Sequence, residues 1–255
     1  MLLALDVGNT QSVFGLFQGE TLLADWRLAT RAEATADELG TLLHALLERG
    51  GHEPRRIEGV VVASVVPDLN ETVATMARRY LGREALFVGP GTRSGMAILY
   101  ENPHEVGADR IVNAVAARSR HGAPVIVVDF GTATTFDVVA PGGEYLGGVI
   151  APGPRIAAEA LFERAARLHR VSLERPERVI GRTTEQSLKS GLYHGYADLV
   201  LGLIRRIRAE LGQEAPVVAT GGLAAIYARE LDLVAAIEPH LTLEGLRLIW
   251  QKNRS

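Results

Sequence analysis

Four residues that follow the first apolar stretch of the chain are suited to binding phosphate. The segment MLLALDVGNT reaches Asp6 through apolar residues, continues to Gly8, and ends in the hydrogen-bonding side chains of Asn9 and Thr10. Backbone amides and small polar side chains at such a turn can hold phosphate oxygens, and the Asp6 carboxylate can hold a hydrated Mg²⁺ ion. The same residues also satisfy the geometry of an ordinary hairpin turn, so one copy of the motif leaves both interpretations open.

A second copy of this pattern lies in the middle of the chain. The segment VIVVDFGTATT carries Asp129, Gly131 and Thr132 after an apolar run, and each copy is followed by two more strand-like segments joined by a turn. A motif that recurs together with its following strands indicates an internal duplication. The duplication favours phosphate binding over turn geometry alone, and the lack of a GxxxxGK[ST] sequence excludes a P-loop.

An acidic and a basic residue begin a predicted helix between the two motifs. In VGADRIVNAVAA, Asp109 and Arg110 fall in the first turn. An acid there is explained by the helix dipole or by a chemical role, whereas an arginine opposes the dipole. Arg110 therefore indicates an anion close by, either a ligand or a carboxylate of the protein itself.

The elements that must position these residues alternate between strands and helices. TADELGTLLHALLERGG predicts a helix with a capping box at Thr35 and Glu38, and GVVVASVV predicts a central strand buried on both faces. Further helices are predicted at 68–80, 108–120, 155–169, 185–211 and 243–252. Each half of the chain therefore contains a three-stranded meander followed by alternating helices and strands.

The repeat divides the chain into two similar α/β domains, residues 1–119 and 120–255. We expect the two domains to face each other across a cleft that holds the active site, with the two acidic hairpins directed at the same ligand. In the second domain, TGGLA places Gly221 and Gly222 after a predicted strand. Glycines are also common at strand-to-helix turns that bind nothing.

Composition limits the possible functions. The 255 residues carry a net charge of -3 and no cysteine. A chain without a basic surplus is not expected to bind nucleic acid or an anionic membrane by charge, and the lack of cysteine excludes disulfides and thiolate metal sites. Because neither an export signal nor a run of roughly 20 apolar residues is present, we expect a cytoplasmic protein.

Together the motifs resemble those of a known superfamily. DVGNT and DFGTATT are similar to the two phosphate-binding motifs of acetate and sugar kinases, heat-shock ATPases and actin, in which ATP lies between two duplicated ribonuclease H-like domains. TGGLA resembles the adenosine motif of that superfamily. GADR, with Tyr100 ahead of it and a phosphate motif on either side, narrows the resemblance to type III pantothenate kinases, and the resemblance covers nearly the whole chain.

The resemblance implies a role for each site residue. Asp109 would be the general base that takes the proton from the primary hydroxyl of pantothenate. The pantothenate pocket would comprise Tyr100, Gly107, Ala108, Arg110 and, across the interface of a homodimer, Thr184, with the neighbouring Thr183 as an alternative. The ATP contacts would be Asp6, Gly8, Asn9, Thr10, Gly131, Thr132, Gly221 and Gly222. Asp6 would hold Mg²⁺ through water, and Asp129 would bind a monovalent cation, potassium or ammonium.

The implied reaction is the ATP-dependent phosphorylation of pantothenate to 4'-phosphopantothenate, the first step of coenzyme A biosynthesis. Phosphoryl transfer depends mainly on alignment and charge compensation, so Asp109 needs only an ordinary carboxylate pKa. Two alternatives remain: another small-molecule kinase, such as one acting on a sugar, and a nucleotide-binding regulator or transcription accessory protein. The intact Asp109 favours an enzyme, because a binding module needs no base.

Overall fold

The computed structural model describes residues 1–165, 168–228 and 231–254. The chain forms two compact units. Unit 1 comprises Met1–Ala116 together with Leu241–Ser255, and unit 2 comprises Ala117–His240. The C-terminal segment therefore belongs to unit 1, whereas the sequence interpretation assigned it to the second domain.

The first half of the chain provides five strands and three α-helices. The strands are β1 (Leu2–Val7), β2 (Gln11–Gln18), β3 (Thr21–Ala29), β4 (Gly59–Ser64) and β5 (Ala85–Phe87). The helices are α1 (Ala36–Arg49), α2 (Asn70–Met76) and α3 (Ala108–His121), with 3₁₀ turns at Pro54–Arg56, Pro67–Leu69 and Pro103–Glu105 and a π turn at Ala77–Leu81.

The second half repeats this pattern with more helices. Its strands are β6 (Val125–Phe130), β7 (Ala133–Val139), β8 (Tyr145–Pro152), β9 (Val217–Thr220) and β10 (Val234–Ile237). Its helices are α4 (Pro154–Arg164), α5 (Thr184–Ser190), α6 (Tyr196–Leu211), α7 (Ala224–Tyr227) and α8 (Leu241–Asn253), and a π turn at Gly191–Gly195 joins α5 to α6.

The two sheets have the same topology. Their strand orders are β3-β2-β1-β4-β5 and β10-β9-β6-β7-β8. In each unit the first strand is antiparallel to the second and parallel to the fourth: β1 pairs in this way with β2 and β4, and β6 with β7 and β9. This match confirms the predicted pair of similar α/β domains from an internal duplication.

Local sequence signals account for the framework of unit 1. The α1 helix begins with the predicted capping box, in which the Thr35 side chain accepts a hydrogen bond from Glu38 N and Glu38 accepts one from Thr35 N. On the sheet side, Leu43 and Leu47 of α1 are fully buried in the core cluster of unit 1. The β4 strand is buried from Gly59 to Ala63, which confirms the prediction of a strand covered on both faces.

The α8 helix packs against β1, β2 and β4 of unit 1. It contacts the sheet at Gly15, where an added Cβ would lie 2.7 Å from Leu243, and at Gly59, where one would overlap the ring of Trp250. Phe14 and Val60, the neighbours of these glycines, belong to the core cluster that α1 covers. Because side chains alternate across a strand, α8 covers the opposite face of the sheet.

Three predicted helices differ in detail from the structure. The helix expected over 68–80 is α-helical at Asn70–Met76, between the Pro67–Leu69 3₁₀ turn and the Ala77–Leu81 π turn. The helix expected over 155–169 ends at Arg164, and residues 166 and 167 lie outside the described part of the chain. The helix expected over 185–211 is continuous in position but contains the Gly191–Gly195 π turn. Hydrophobic periodicity does not distinguish such a turn from the α-helix on either side of it.

Candidate active site

The first acidic hairpin joins β1 to β2. Gly8 N donates to Gln11 O at 3.2 Å, and an added Cβ on Gly8 would lie 2.8 Å from the same oxygen. Thr30 braces the hairpin from the end of β3, because its backbone N donates to Thr10 O at 3.0 Å. Asn9 and Thr10 are exposed, so the hairpin presents polar side chains to solvent where β1 ends.

Asp6 lies in the centre of the first sheet. It pairs with Val13 of β2 on one side and Ala63 of β4 on the other, and it is partly buried. Val65 N donates to Val7 O at 3.0 Å, which extends the β1–β4 contact past the end of the strand. The Asp6 carboxylate therefore stands on a rigid strand immediately ahead of the hairpin.

The second acidic hairpin joins β6 to β7 and is one residue shorter than the first. Val7 pairs with Ser12 in the first hairpin, whereas Phe130 pairs with Thr134 in the second. Gly131 N donates to Ala133 O at 3.1 Å. The two motifs thus share residue types without having the same backbone.

Gly153 supports the second hairpin from behind, a contact that the sequence analysis missed. Its N donates to Thr132 O at 3.1 Å, and an added Cβ would lie 2.7 Å from Gly131 O. Gly153 follows β8, which is paired with β7. Its only sequence signal is a glycine before proline, a pattern common to turns in general.

The TGG segment lies directly against the second hairpin. Thr220 of β9 pairs with Asp129 of β6. Gly221 has φ +92°, and an added Cβ would overlap Asp129 Oδ1 and lie 2.7 Å from Phe130 N. Gly222 is exposed. Unit 2 therefore brings Asp129, the hairpin and the glycine turn together at one edge of its sheet, and Gly221 is required by its contact with Asp129.

Tyr196 of α6 anchors the same hairpin and was also missed. Its hydroxyl is hydrogen-bonded to Thr134 Oγ1 and to Pro152 O, the latter at 3.1 Å. Burial raises the pKa of Tyr196 above its ordinary value, although the Thr134 hydrogen bond lowers it. The phenol therefore stays neutral, and its hydrogen bonds hold α6 to the strands β7 and β8.

At the start of α3, the side chain of Asp109 is held against the backbone of its own helix. Gly107 O accepts hydrogen bonds from Arg110 N at 3.1 Å and from Ile111 N at 3.3 Å. Asp109 Oδ1 accepts a hydrogen bond from Arg110 N at 2.9 Å. An added Cβ on Gly107 would lie 2.5 Å from Asp109 Oδ1, so the carboxylate occupies the space that a side chain at Gly107 would need.

The surroundings of Asp109 change its acidity. Burial raises the pKa of Asp109 above its ordinary value, while the backbone N–H and the positive charge of Arg110 lower it by less. Arg110 is 7% exposed. The reaction needs only an ordinary carboxylate pKa, and the raised pKa makes Asp109 a stronger base than that. The positive charge of Arg110 acts on this carboxylate.

A pocket of about 270 Å³ lies in unit 1 beside the start of α3. Its walls include Val88–Thr92, Ile98, Val106, Ala108 and Ile111. Ala108 is one of the predicted pantothenate residues, and Tyr100 lies in the irregular segment nearby, partly buried. Asp109 does not line this pocket, because Ala108 and Ile111 are spaced on one face of α3 and Asp109 is on another.

Thr183 and Thr184 have different roles at the start of α5. Thr183 is the N-cap, and its hydroxyl accepts a hydrogen bond from Gln186 N at 3.2 Å. Gln186 Oε1 accepts one from Arg182 N at 2.9 Å. Thr184 is exposed and begins the helix proper. The capping role of Thr183 favours Thr184 as the hydroxyl that could contact a substrate.

Each acidic residue of the hairpins can supply one carboxylate ligand to a hard cation. Over residues 1–165, 168–228 and 231–254, no three histidine, aspartate or glutamate side chains are grouped as a metal cage. Mg²⁺ commonly keeps several waters and uses one or two carboxylates together with substrate phosphates, which fits Asp6. In the same described ranges, no helix has the length and hydropathy needed to cross a bilayer.

The duplicated sheets and the acidic hairpins after their first strands define the class of protein. The chain has an α/β fold that is also found in solved structures of sugar kinases. Within that class, it belongs to the type III pantothenate kinase family, whose sequence model matches residues 2–206.

Full-length relatives agree with this family. The chain is 52% identical over 255 residues to the type III pantothenate kinase of Myxococcus xanthus (strain DK1622), with 100% of both chains covered. It is 51% identical over 253 residues to that of Moorella thermoacetica, covering 99% of this chain and 100% of the relative.

Solved structures with lower identity support the fold alone. A protein from Campylobacter jejuni, described as a Baf family transcriptional activator, has a TM-score of 0.62 at 20% identity over 99% of this chain and 98% of its own. A protein from Sinorhizobium meliloti, described as a 2-dehydro-3-deoxygalactonokinase, has a TM-score of 0.62 at 13% identity over 99% and 96%.

Proposed function

We propose that the protein catalyses the ATP-dependent phosphorylation of pantothenate to 4'-phosphopantothenate, with Asp109 as the general base. Family membership and the full-length relatives support the substrate and the donor. The observation that carries the base is the Asp109 carboxylate at the start of α3, oriented by the Arg110 N–H and made more basic by burial.

Asp109 accepts the proton of the primary hydroxyl through Oδ2, because Oδ1 is held by Arg110 N. As the hydroxyl oxygen forms its bond to the γ-phosphorus, the bond from that phosphorus to the β–γ bridging oxygen breaks and ADP leaves. The proton moves to Asp109 late in this step, when the attacking oxygen has become acidic. A base of raised pKa retains that proton better than an ordinary aspartate.

The two acidic hairpins bind the phosphates of ATP. Asn9 and Thr10 act in unit 1, and Gly131 and Thr132 act in unit 2. Further nucleotide contacts come from Asp6, Gly8, Gly221 and Gly222. Mg²⁺ held by Asp6 through water, and potassium or ammonium at Asp129, would neutralise phosphate charge when bound.

Thr184 completes the pantothenate site of a partner subunit in a homodimer. Supporting this proposal, Val179 and Ile180 are 66% and 82% exposed just ahead of Thr184, and Ile150 is 64% exposed on β8, the edge strand of its sheet. Apolar side chains at an open strand edge favour association with another chain. Because ATP is the donor, we also propose that the enzyme acts in the cytoplasm.

The experiment incubates the protein with ATP, Mg²⁺, K⁺ and pantothenate and measures 4'-phosphopantothenate. Asp109→Asn keeps the shape of the side chain and removes the base, so we expect ATP binding to be retained and kcat to fall about 10²- to 10⁴-fold. Near-normal turnover by this variant would contradict the base. Transfer to a sugar but not to pantothenate would identify another small-molecule kinase, and ATP binding without transfer to either would support a regulator.

The cation is tested in the same assay. Replacing K⁺ with Na⁺ at constant ionic strength should lower kcat. K⁺ is larger and more weakly hydrated than Na⁺, so K⁺ gives up its water more readily at a site with a single carboxylate. Equal rates in the two salts would remove the monovalent cation from the proposal.

A further inference from the structure

The α8 helix contacts the helix that carries Asp109. Thr242 Oγ1 of α8 donates a hydrogen bond to Asn113 Oδ1 of α3 at 2.8 Å, and Asn113 is 1% exposed. Asn113 follows Asp109 by four residues and so lies one helical turn further along the same side of α3. The contact therefore acts on α3 close to the base.

A second contact fixes how closely the two helices approach. An added Cβ on Gly245 would overlap Val112 O and lie 2.7 Å from Val112 Cγ1. Gly245 follows Thr242 by three residues, so both contacts are on the same side of α8. Any side chain at Gly245 would force α8 and α3 apart.

We propose that Thr242 and Gly245 are positioning residues for Asp109, which set the rotation and depth of α3 in unit 1. Gly245 fixes the distance between the helices, and the Thr242–Asn113 hydrogen bond fixes the rotation of α3 about its axis. This inference rests on the proposed role of Asp109 as general base.

The side of α8 that faces the sheet fixes the helix in place. Leu243 and Trp250 hold α8 on the sheet at Gly15 and Gly59. Arg247 is 4% exposed, and its Nη2 pairs with Glu244 Oε1 at 2.5 Å. With α8 fixed on the sheet, α3 takes its orientation from α8. A displacement of about 1 Å at a reacting group can reduce a rate by about 10²-fold, so small movements of α3 are sufficient to affect turnover.

The experiment compares Thr242→Val, Thr242→Ser and Asn253→Ala in the full-length protein. Thr242→Val keeps the shape but removes the donor, and Thr242→Ser keeps the donor. Asn253→Ala is the matched control, because Asn253 ties the far end of α8 to Arg93 through hydrogen bonds of 3.0 and 3.1 Å. We measure kcat, the KM for ATP, the KM for pantothenate and the midpoint of thermal unfolding.

We expect Thr242→Val to lower kcat about 10-fold or more with an unchanged KM for ATP, and Thr242→Ser to restore it. Asn253→Ala should lower the midpoint of thermal unfolding by about as much as Thr242→Val does, and it should leave kcat unchanged. Gly245→Ala should lower kcat further. If Thr242→Val retains native kcat, or if Asn253→Ala loses as much activity, the positioning role is wrong.

Asp109→Asn in the same assay separates the two proposals. An inactive Asp109→Asn variant beside a fully active Thr242→Val variant would overturn the positioning role alone. An active Asp109→Asn variant would overturn the general base and, with it, this inference.

Discussion

Asp109 has to be charged to accept a proton, yet it lies where burial disfavours the charge. The pKa of its carboxyl is raised by burial and lowered to a lesser extent by Arg110. Below the ordinary carboxylate pKa, both the folded and the unfolded chain hold this proton, so burial has no electrostatic cost. As pH rises through the raised pKa of the folded state, the folded chain has to ionise a desolvated group and loses stability.

This conflict predicts that removing the charge stabilises the protein. At neutral pH, Asp109→Asn should have a higher midpoint of thermal unfolding than the native chain, and the gain should shrink towards about pH 4, where an ordinary aspartate is half protonated. Calorimetry at several pH values measures the difference. A gain that is constant with pH, or no gain at all, would show that the carboxylate is not destabilised by burial.

The same substitution should have different effects at the two threonines where α5 begins. Thr183→Val removes the N-cap and should lower the free energy of unfolding by about 1 kcal/mol with little change in the KM for pantothenate. Thr184→Val keeps the cap and should raise that KM while leaving stability unchanged. Kinetics and urea unfolding of both variants measure this, and the reverse pattern would assign the substrate contact to Thr183.

The place of a proposed site residue in the fold could be predicted where the motif itself is local. Asp6, Gly8, Asp129 and Gly131 lie at the hairpins that the sequence indicated. Gly153, Tyr196 and Thr242 could not be found in this way, since each acts on a residue far along the chain through one backbone or hydroxyl contact. Neither a glycine before proline nor a polar residue in a helix carries the identity of its partner.

At the scale of the secondary-structure element, the turn after β9 depends on one glycine. Gly221 has φ +92° and lies against Asp129 and Phe130. Gly221→Ala should lower the free energy of unfolding by about 1–3 kcal/mol and raise the KM for ATP, because the turn has to move away from the second hairpin.

Gly212→Ala is the matched control. Gly212 ends α6 with φ +67° and would have no atom within 4 Å of an added Cβ. It should show only the conformational cost, about 1 kcal/mol, with an unchanged KM for ATP. Equal kinetic effects at the two glycines would show that contact with Asp129 does not determine the position of the turn.

Elements with local signals could be predicted, and those determined by distant contacts could not. The capping box of α1 and the buried run of β4 follow directly from residue types. The membership of α8 in unit 1 depends on the fit of its side chains to Gly15 and Gly59. An amphipathic pattern indicates that a helix has a buried face without indicating which sheet buries it.

The molecule as a whole is proposed to act as a dimer. Among the large apolar side chains in the part of the chain that the structure describes, Ile180 is the most exposed. Ile180→Asp should give a monomer in light scattering and raise the KM for pantothenate with ATP binding unchanged, because Thr184 would no longer reach a partner. Leu42→Asp in α1 makes the same change at an apolar side chain of 39% exposure. The Leu42→Asp variant should remain dimeric. A fully active monomer of either variant would contradict the proposed dimer.

The membership of α8 in unit 1 also reverses the order in which the two halves can be completed during synthesis. Unit 2 is one uninterrupted stretch, Ala117–His240, whereas unit 1 needs Leu241–Asn253 to cover one face of its sheet. On the ribosome, the first residues to emerge therefore belong to the unit that is finished last. Until α8 leaves the exit tunnel, β1, β2 and β4 expose that face, which makes this interval the one in which a nascent chain most needs a chaperone.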